Sequence, residues 1–214
     1  MVIIMNNRIK IIASKIYPYE KIADVGCDHG YLIIEAIKLN ENIKAIAIDN
    51  KEMPLNSCKQ NIIKHNYLDK VRFSLSSGIE DIDDDTECVV IAGMGGNLIC
   101  EILSKDLKNV KRLILAPNKD EYTVRSVITK LGFKIVDEEI AYENNKYYQI
   151  IVCDKSNDLA NYNDDELTYG PINIKKKDNL FNEYIEYEYN KYSKISNSEK
   201  ISKRLEMIRR IKEC

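Results

Sequence analysis

The chain has 214 residues, 44% hydrophobic and 31% charged, enough apolar material for one sizeable core and a small appendage, which excludes a disordered, collagenous or linker-like chain. With 32 basic and 34 acidic side chains the net charge is −2, so the overall balance draws the protein neither to nucleic acid nor to an anionic membrane. Six scattered cysteines without a CxxC pair, and two histidines (His29 and His65) far apart, argue against a disulfide framework and against any metal site. The opening Met-Val-Ile-Ile-Met is too short for a signal peptide and no long apolar run follows, so a cytoplasmic protein without membrane contact is expected.

Short Val/Ile-rich runs alternate with stretches of helical apolar spacing, the pattern of a parallel sheet with crossover helices. Strands are predicted at Lys21–Val25, Lys44–Asp49, Val71–Leu75, Cys88–Ala92 and Arg112–Ala116. Helices are predicted over Gly30–Leu39, from Pro54 onward, and after Asp120-Glu121 as far as Gly132, where acidic first-turn residues and a terminal glycine are the usual signals. Lys134–Ala141 and Lys146–Cys153 read as two strands joined by Glu143-Asn144-Asn145, a hairpin closing the sheet edge. The fold class is α/β.

After Cys153 the composition turns polar and acidic, so a core domain over 1–153, a linker over 154–174 and a helical hairpin over 175–214 are expected. Ser196 and Glu199 are spaced as a capping box for the second helix of that hairpin. The hairpin has 11 basic and 7 acidic side chains. A solvated surface and a nucleic-acid contact are both open readings of that excess.

Chemistry is expected at the carboxyl ends of the strands, where ligands bind in open α/β sheets. Six of the eight glycines (Gly26, Gly30, Gly78, Gly93, Gly95, Gly96) fall just past the first, third and fourth strands, and glycine lets backbone N–H groups approach a ligand closely. Asp24 to Tyr31 has the form D-x-G-x-D-x-G-Y and lacks both G-x-G-x-x-G and a P-loop. Two carboxylates in such a turn favour a cationic ligand over a phosphate. Asp49, at the end of the second strand, is suited to a ribose diol. A ribose combined with positive charge points to S-adenosyl-L-methionine rather than NAD.

Asp24-Val25-Gly26-Cys27-Asp28-His29-Gly30-Tyr31-Leu32, Ile91-Ala92-Gly93-Met94-Gly95-Gly96 and Leu115-Ala116-Pro117-Asn118 together resemble the bacterial tRNA adenine-N1 methyltransferases that modify adenosine 22. The resemblance spans nearly the whole chain. It implies a Rossmann-like class I methyltransferase sheet with flanking helices, a coiled-coil-like C-terminal hairpin, S-adenosyl-L-methionine as donor and tRNA as substrate. Two positions depart from the family pattern: Ser76-Ser77-Gly78 stands where an acidic residue often receives the cofactor's adenine, and Ala116 where glutamine is frequent.

On this reading Asp24, Gly26, Asp28, His29, Asp49, Asn50, Ser77, Gly78, Ile79, Gly93 and Met94 are the cofactor candidates. Asp28 and Asn118 are the catalytic candidates, because methylated N1 makes the base cationic and a carboxylate can stabilise it. Arg8, Tyr31, Pro117, Asn118, Lys175, Lys176 and Lys177 are the substrate candidates, and Tyr184, Tyr187, Tyr189 and Tyr192 divide between core packing and base stacking. A monomer is expected. Two alternatives are a methyltransferase of the same fold acting on a small molecule or protein, and a non-catalytic cofactor-binding module.

Overall fold

The computed structural model describes residues 7–158, 160–195 and 198–213. Helix α1 (Asn7–Ser14) leads into β1 (Lys21–Val25), α2 (Tyr31–Leu39), β2 (Lys44–Asp49), α3 (Glu52–Lys64), β3 (Val71–Leu75) and β4 (Cys88–Ala92). Then come α4 (Gly96–Leu103), β5 (Arg112–Ala116), α5 (Glu121–Lys130), β6 (Phe133–Glu143) and β7 (Lys146–Lys155). The seven strands form one sheet in the order β3-β2-β1-β4-β5-β7-β6. β1 to β5 are mutually parallel, and β7 runs antiparallel to both β5 and β6. The five parallel strands coincide with the runs predicted from sequence.

Two apolar layers cover the sheet. Ile12 and Ile16, Ile33 and Ile37, and Cys58 and Ile62 pack on one face from α1, the α1–β1 turn, α2 and α3, whereas Ile99 and Leu103 of α4 and Val124 and Ile128 of α5 cover the other. Strand residues alternate between them, Ile22 facing the first layer and Ala23 and Val25 the second. Helix α2 is buried over Leu32, Ile33, Ile34, Ala36 and Ile37 because it lies between the sheet and α1 and α3. The chain order reverses between β1 and β4, which opens a crevice at their carboxyl ends.

The span read as a linker is structured. β7 continues to Lys155, and α6 (Asp164–Tyr169) and α7 (Pro171–Lys176) follow, the first opened by a capping box between Asn163 and Glu166. Lys177 adopts a left-handed conformation (φ 46°) that ends α7, so the long helix α8 starts at Asn179 and runs to Tyr192 rather than starting at Lys175. Helix α9 (Glu199–Glu213) pairs with it. Ser196 lies outside the described residues; the Ser198 hydroxyl accepts from Ile201 N at 3.4 Å in the capping position. Phe181, Tyr184 and Ile185 of α8 and Ile208 and Ile211 of α9 pack on Ile140 and Tyr169, forming a third apolar cluster on β6. The hairpin therefore completes its core on its own sheet.

Candidate functional site

A cleft of about 330 Å³ opens at the carboxyl ends of β1 and β4, lined by Asp24, Gly26, Asp28, His29, Tyr31, Gly93 and Met94, with Arg8 and Ile12 of α1 on its far wall. Gly26 holds φ 81° and donates its N–H to Ile48 O at 2.8 Å, and a Cβ there would run into the Met94 methyl. Glycine is thus required where the β1 loop crosses the β4 loop. Gly30 (φ 70°) caps the start of α2, and an added Cβ there would lie 2.6 Å from Cys58 Sγ. Cys27 points inward to Cys58, and that hydrogen bond together with burial pushes its thiol pKa up, which makes it packing rather than a nucleophile.

Asp24 is 5% exposed, and burial, reinforced by the carboxylates of Asp49 and Asp28, pushes its pKa up to about 7. Asp24 and Asp28 in the cleft, with Asp49 close enough to raise the Asp24 pKa and no ion pair to Asp24 among the described residues, form a receptor for positive charge. Asp28, at φ 43°, turns its exposed carboxylate outward, 3.6 Å from His29 Nε2, and the His29 and Tyr31 rings lie 5.6 Å apart along the same wall.

The β4 and β5 loops are zipped together. Gly93 N donates to Ala116 O (3.0 Å), Asn118 N to Met94 O (2.7 Å), Gly96 N to Lys119 O (3.1 Å), and Asn118 Nδ2 to Gly93 O (2.5 Å). With one amide N–H held by Gly93 O, the Asn118 side chain is fixed in place and its Oδ1 is available to a ligand as an acceptor. Pro117 is buried behind it.

Asp49, Asn50, Ser77, Gly78 and Ile79 stand along the same sheet edge but outside this cleft. Asp49 caps the next turn by accepting from Lys51 N at 3.0 Å, Ser77 is exposed, and Gly78 and Ile79 are buried. Glu80, unread from the sequence, folds back so that its Oε2 would touch a Cβ at Gly78 at 3.0 Å.

The basic candidates separate. Arg8 lies in the cleft wall over the Tyr148 ring (4.2 Å) and beside Glu143, with a side chain only 17% exposed, so it belongs to the cleft and not to a solvated phosphate surface. Lys176 binds Asp137 and Glu138 O, and Lys177 Nζ donates to Ile211 O at 2.6 Å. Lys175 is exposed on α7, away from the cleft. Across 175–214, Lys176, Lys191, Lys203, Arg204, Arg210 and Lys212 pair with carboxylates, which leaves Lys175, Lys177, Lys194, Lys200 and Arg209 without an ion pair among the described residues. The local positive excess is largely spent within the protein. Among the described residues no cluster of three His, Cys, Asp or Glu side chains could hold a metal, and no helix is long and apolar enough to cross a membrane.

A model of the tRNA (adenine(22)-N(1))-methyltransferase family matches residues 22–213. The tRNA (adenine(22)-N(1))-methyltransferase of Bacillus subtilis is 31% identical over 185 residues, covering 83% of this chain and 78% of the relative. A Streptococcus pneumoniae protein solved with S-adenosyl-L-methionine superposes with a TM-score of 0.89 at 30% identity, over 97% of this chain and 99% of that one. The M. capricolum TrmK, solved with S-adenosyl-homocysteine, superposes with a TM-score of 0.84 at 26% identity, over 97% and 98% of the two chains. The sheet order, the glycine-built acidic cleft at the β1–β4 reversal and a family match over nearly the whole length agree: this chain belongs to the tRNA (adenine(22)-N(1))-methyltransferase family.

Proposed function

We propose that Asp28 and Asn118 hold the target adenine of tRNA while a methyl group passes to N1 of adenosine 22. The observation that carries this reading is the pair of carboxylates, Asp24 and Asp28, in one cleft walled by Gly93 and Met94, whose loop is zipped to that of Asn118. When bound, S-adenosyl-L-methionine supplies a methyl group on a positively charged sulfur. The residues present fit it: Asp24 and its neighbours offer negative charge to an ammonium, Gly26 and Gly93 give open backbone, and Asp49 suits a ribose diol. Glu80, with Ser77, Gly78 and Ile79, supplies polar atoms for an adenine ring.

Transfer to a ring nitrogen is mostly a matter of position, since N1 already carries the lone pair that attacks. The target base must leave its stack to reach the cleft, and the His29–Tyr31 wall gives it an aromatic surface. Asn118 Oδ1 accepts from the exocyclic amine and fixes the ring edge. Asp28 faces the same edge, stabilises the positive charge that alkylation leaves on the base and stands ready to accept an amine proton. Because the apolar face of the hairpin is used on β6, a monomer is the proposed working state, and a tRNA substrate supports a cytoplasmic setting.

The test is incubation with methyl-labelled S-adenosyl-L-methionine and an unmodified tRNA transcript, followed by nucleoside digestion and mass spectrometry. We expect 1-methyladenosine with adenosine at position 22 and none with guanosine there. Label on another nucleoside, or none, rejects the reading.

A further inference from the structure

Beyond the cleft, the most distinctive surface lies on the ribbon of β6 and β7. The last residue of β5 paired with β7 is Leu115, opposite Ile151, yet β7 extends back another five residues to Lys146, about 16 Å at the usual strand rise. Because β7 is antiparallel to β5, this overhang projects past the carboxyl edge where the cleft opens. Its two faces differ. Tyr148 turns toward α1 and carries Arg8 of the cleft wall, whereas Tyr142 and Tyr147 turn the other way, toward α8.

On that second face four tyrosines are in contact. Tyr147 is central: its ring centroid is 4.6 Å from Tyr142, 5.3 Å from Tyr187 and 5.3 Å from Tyr184. Tyr184 is buried and anchors the group in the core, whereas Tyr142 and Tyr187 are each 46% exposed. Two rigid rings are therefore offered to solvent from different elements, β6 and α8, held by a third ring between them. Core packing does not require this exposure, and an aromatic face in water is a surface to which a nucleobase can stack.

We propose that Tyr142 and Tyr187 form a platform that stacks an unpaired base of the tRNA near the target adenosine. The proposal rests on the tRNA reading above. An RNA occupant is favoured over a protein by place and by charge. The platform is on the opposite face of the ribbon from Tyr148, which carries Arg8 of the cleft wall, so a strand leaving the cleft crosses the ribbon tip to reach it. Lys146 at that tip is exposed and makes no ion pair among the described residues, and Lys191 lies 5.9 Å from the Tyr187 ring. With most cations of 175–214 already paired, counterion release is limited and stacking has more of the affinity to supply.

The chain has no tryptophan, so Tyr142→Trp creates a single reporter at the platform. Its fluorescence is expected to be quenched by saturating tRNA; unchanged emission overturns the proposal. Replacing both rings in Tyr142→Ala/Tyr187→Ala should raise the tRNA Kd about tenfold or more, leave the cofactor Kd unchanged and change kcat at saturating tRNA by less than threefold. The corresponding double Phe variant keeps the rings and should retain near wild-type affinity. A wild-type tRNA Kd in the alanine variant also overturns the proposal, and if sedimentation shows that variant with an altered oligomeric state the rings instead serve self-contact. Methylation by the wild-type protein is read separately, so a failed platform is distinguishable from a failed tRNA assignment.

Discussion

Asp24 holds its proton well into the neutral range because it is buried beside two other carboxylates, its pKa pushed up to about 7 from the ordinary 3.8. The folded state thus binds more protons than the unfolded state between these values, so this residue makes the ligand-free protein less stable as pH rises from about 4 to 7. A cationic ligand reverses the preference by favouring the carboxylate. Cofactor binding should therefore release a proton below pH 7, and affinity should rise with pH from 5 to 7, approaching tenfold per unit. Calorimetry in buffers of different ionisation enthalpy measures the proton directly. In Asp24→Asn both the released proton and the pH slope should vanish, and a slope that survives would assign them elsewhere. Asp28 plays the other part. It sits at φ 43°, a conformation asparagine tolerates, so Asp28→Asn removes charge without straining the turn. We expect turnover to fall about 100-fold with cofactor affinity changed only a few-fold, the range typical of a lost acid–base group; single-turnover kinetics with tRNA check it.

Between elements, the β4 and β5 loops act as one unit because each completes the other's backbone hydrogen bonds. Gly96 is the contact point: a Cβ there would meet the carbonyl oxygens of Lys119 and Asp120 at 2.8 Å, backbone that cannot move aside. Gly96→Ala should push the loops apart, displace Asn118 from Gly93 and raise the tRNA KM while lowering kcat. Thermal unfolding should shift by only a few degrees, and unchanged kinetics would show the loops to be independent. The glycines past the strands were legible as a binding edge, and the strands themselves were legible because Val/Ile runs covered on both faces leave a continuous apolar signature. Helix α4 was not, since its onset is a glycine run that carries no helical signal. The place of Arg8, a substrate candidate, in the cleft wall was not legible, because nothing local reveals that Tyr148, 140 residues later in the chain, comes to lie under it. Helices α6 and α7 escaped notice for a related reason: each has 6 residues, too few to show a period, and both are held by tertiary contacts.

Those contacts join the appendage to the catalytic sheet across the whole molecule. Arg125 of α5 and Glu138 of β6 are both fully buried and bonded at 2.7 Å, and Arg125 also donates to Gln149 Oε1 (2.6 Å) and to Leu167 O (3.0 Å). Glu138 Oε2 in turn accepts from Ile172 N (2.9 Å) and Asn173 N (3.3 Å), and Gly170 leaves room for that carboxylate where a Cβ would collide with it. One ion pair thereby fixes α6 and α7, and through them the hairpin, on the sheet. Cutting the chain after Pro171 would strip the carboxylate of two donors and bare the apolar face of β6, so point variants separate docking from folding more cleanly. Glu138→Gln leaves the Arg125 charge buried without its counter-charge, a loss of about 3–5 kcal/mol, and should lower Tm by roughly 10 °C for a chain of this length. Adding Arg125→Met removes the stranded charge and should recover part of that loss. At a temperature where both variants remain folded, cofactor affinity should match the wild type, because the cleft is built from β1, β4 and α1. The tRNA Kd should instead rise in Glu138→Gln as the hairpin and Tyr187 lose their fixed position against Tyr142. A wild-type tRNA Kd in a destabilised Glu138→Gln protein would show that the pair stabilises the fold without orienting the RNA surface.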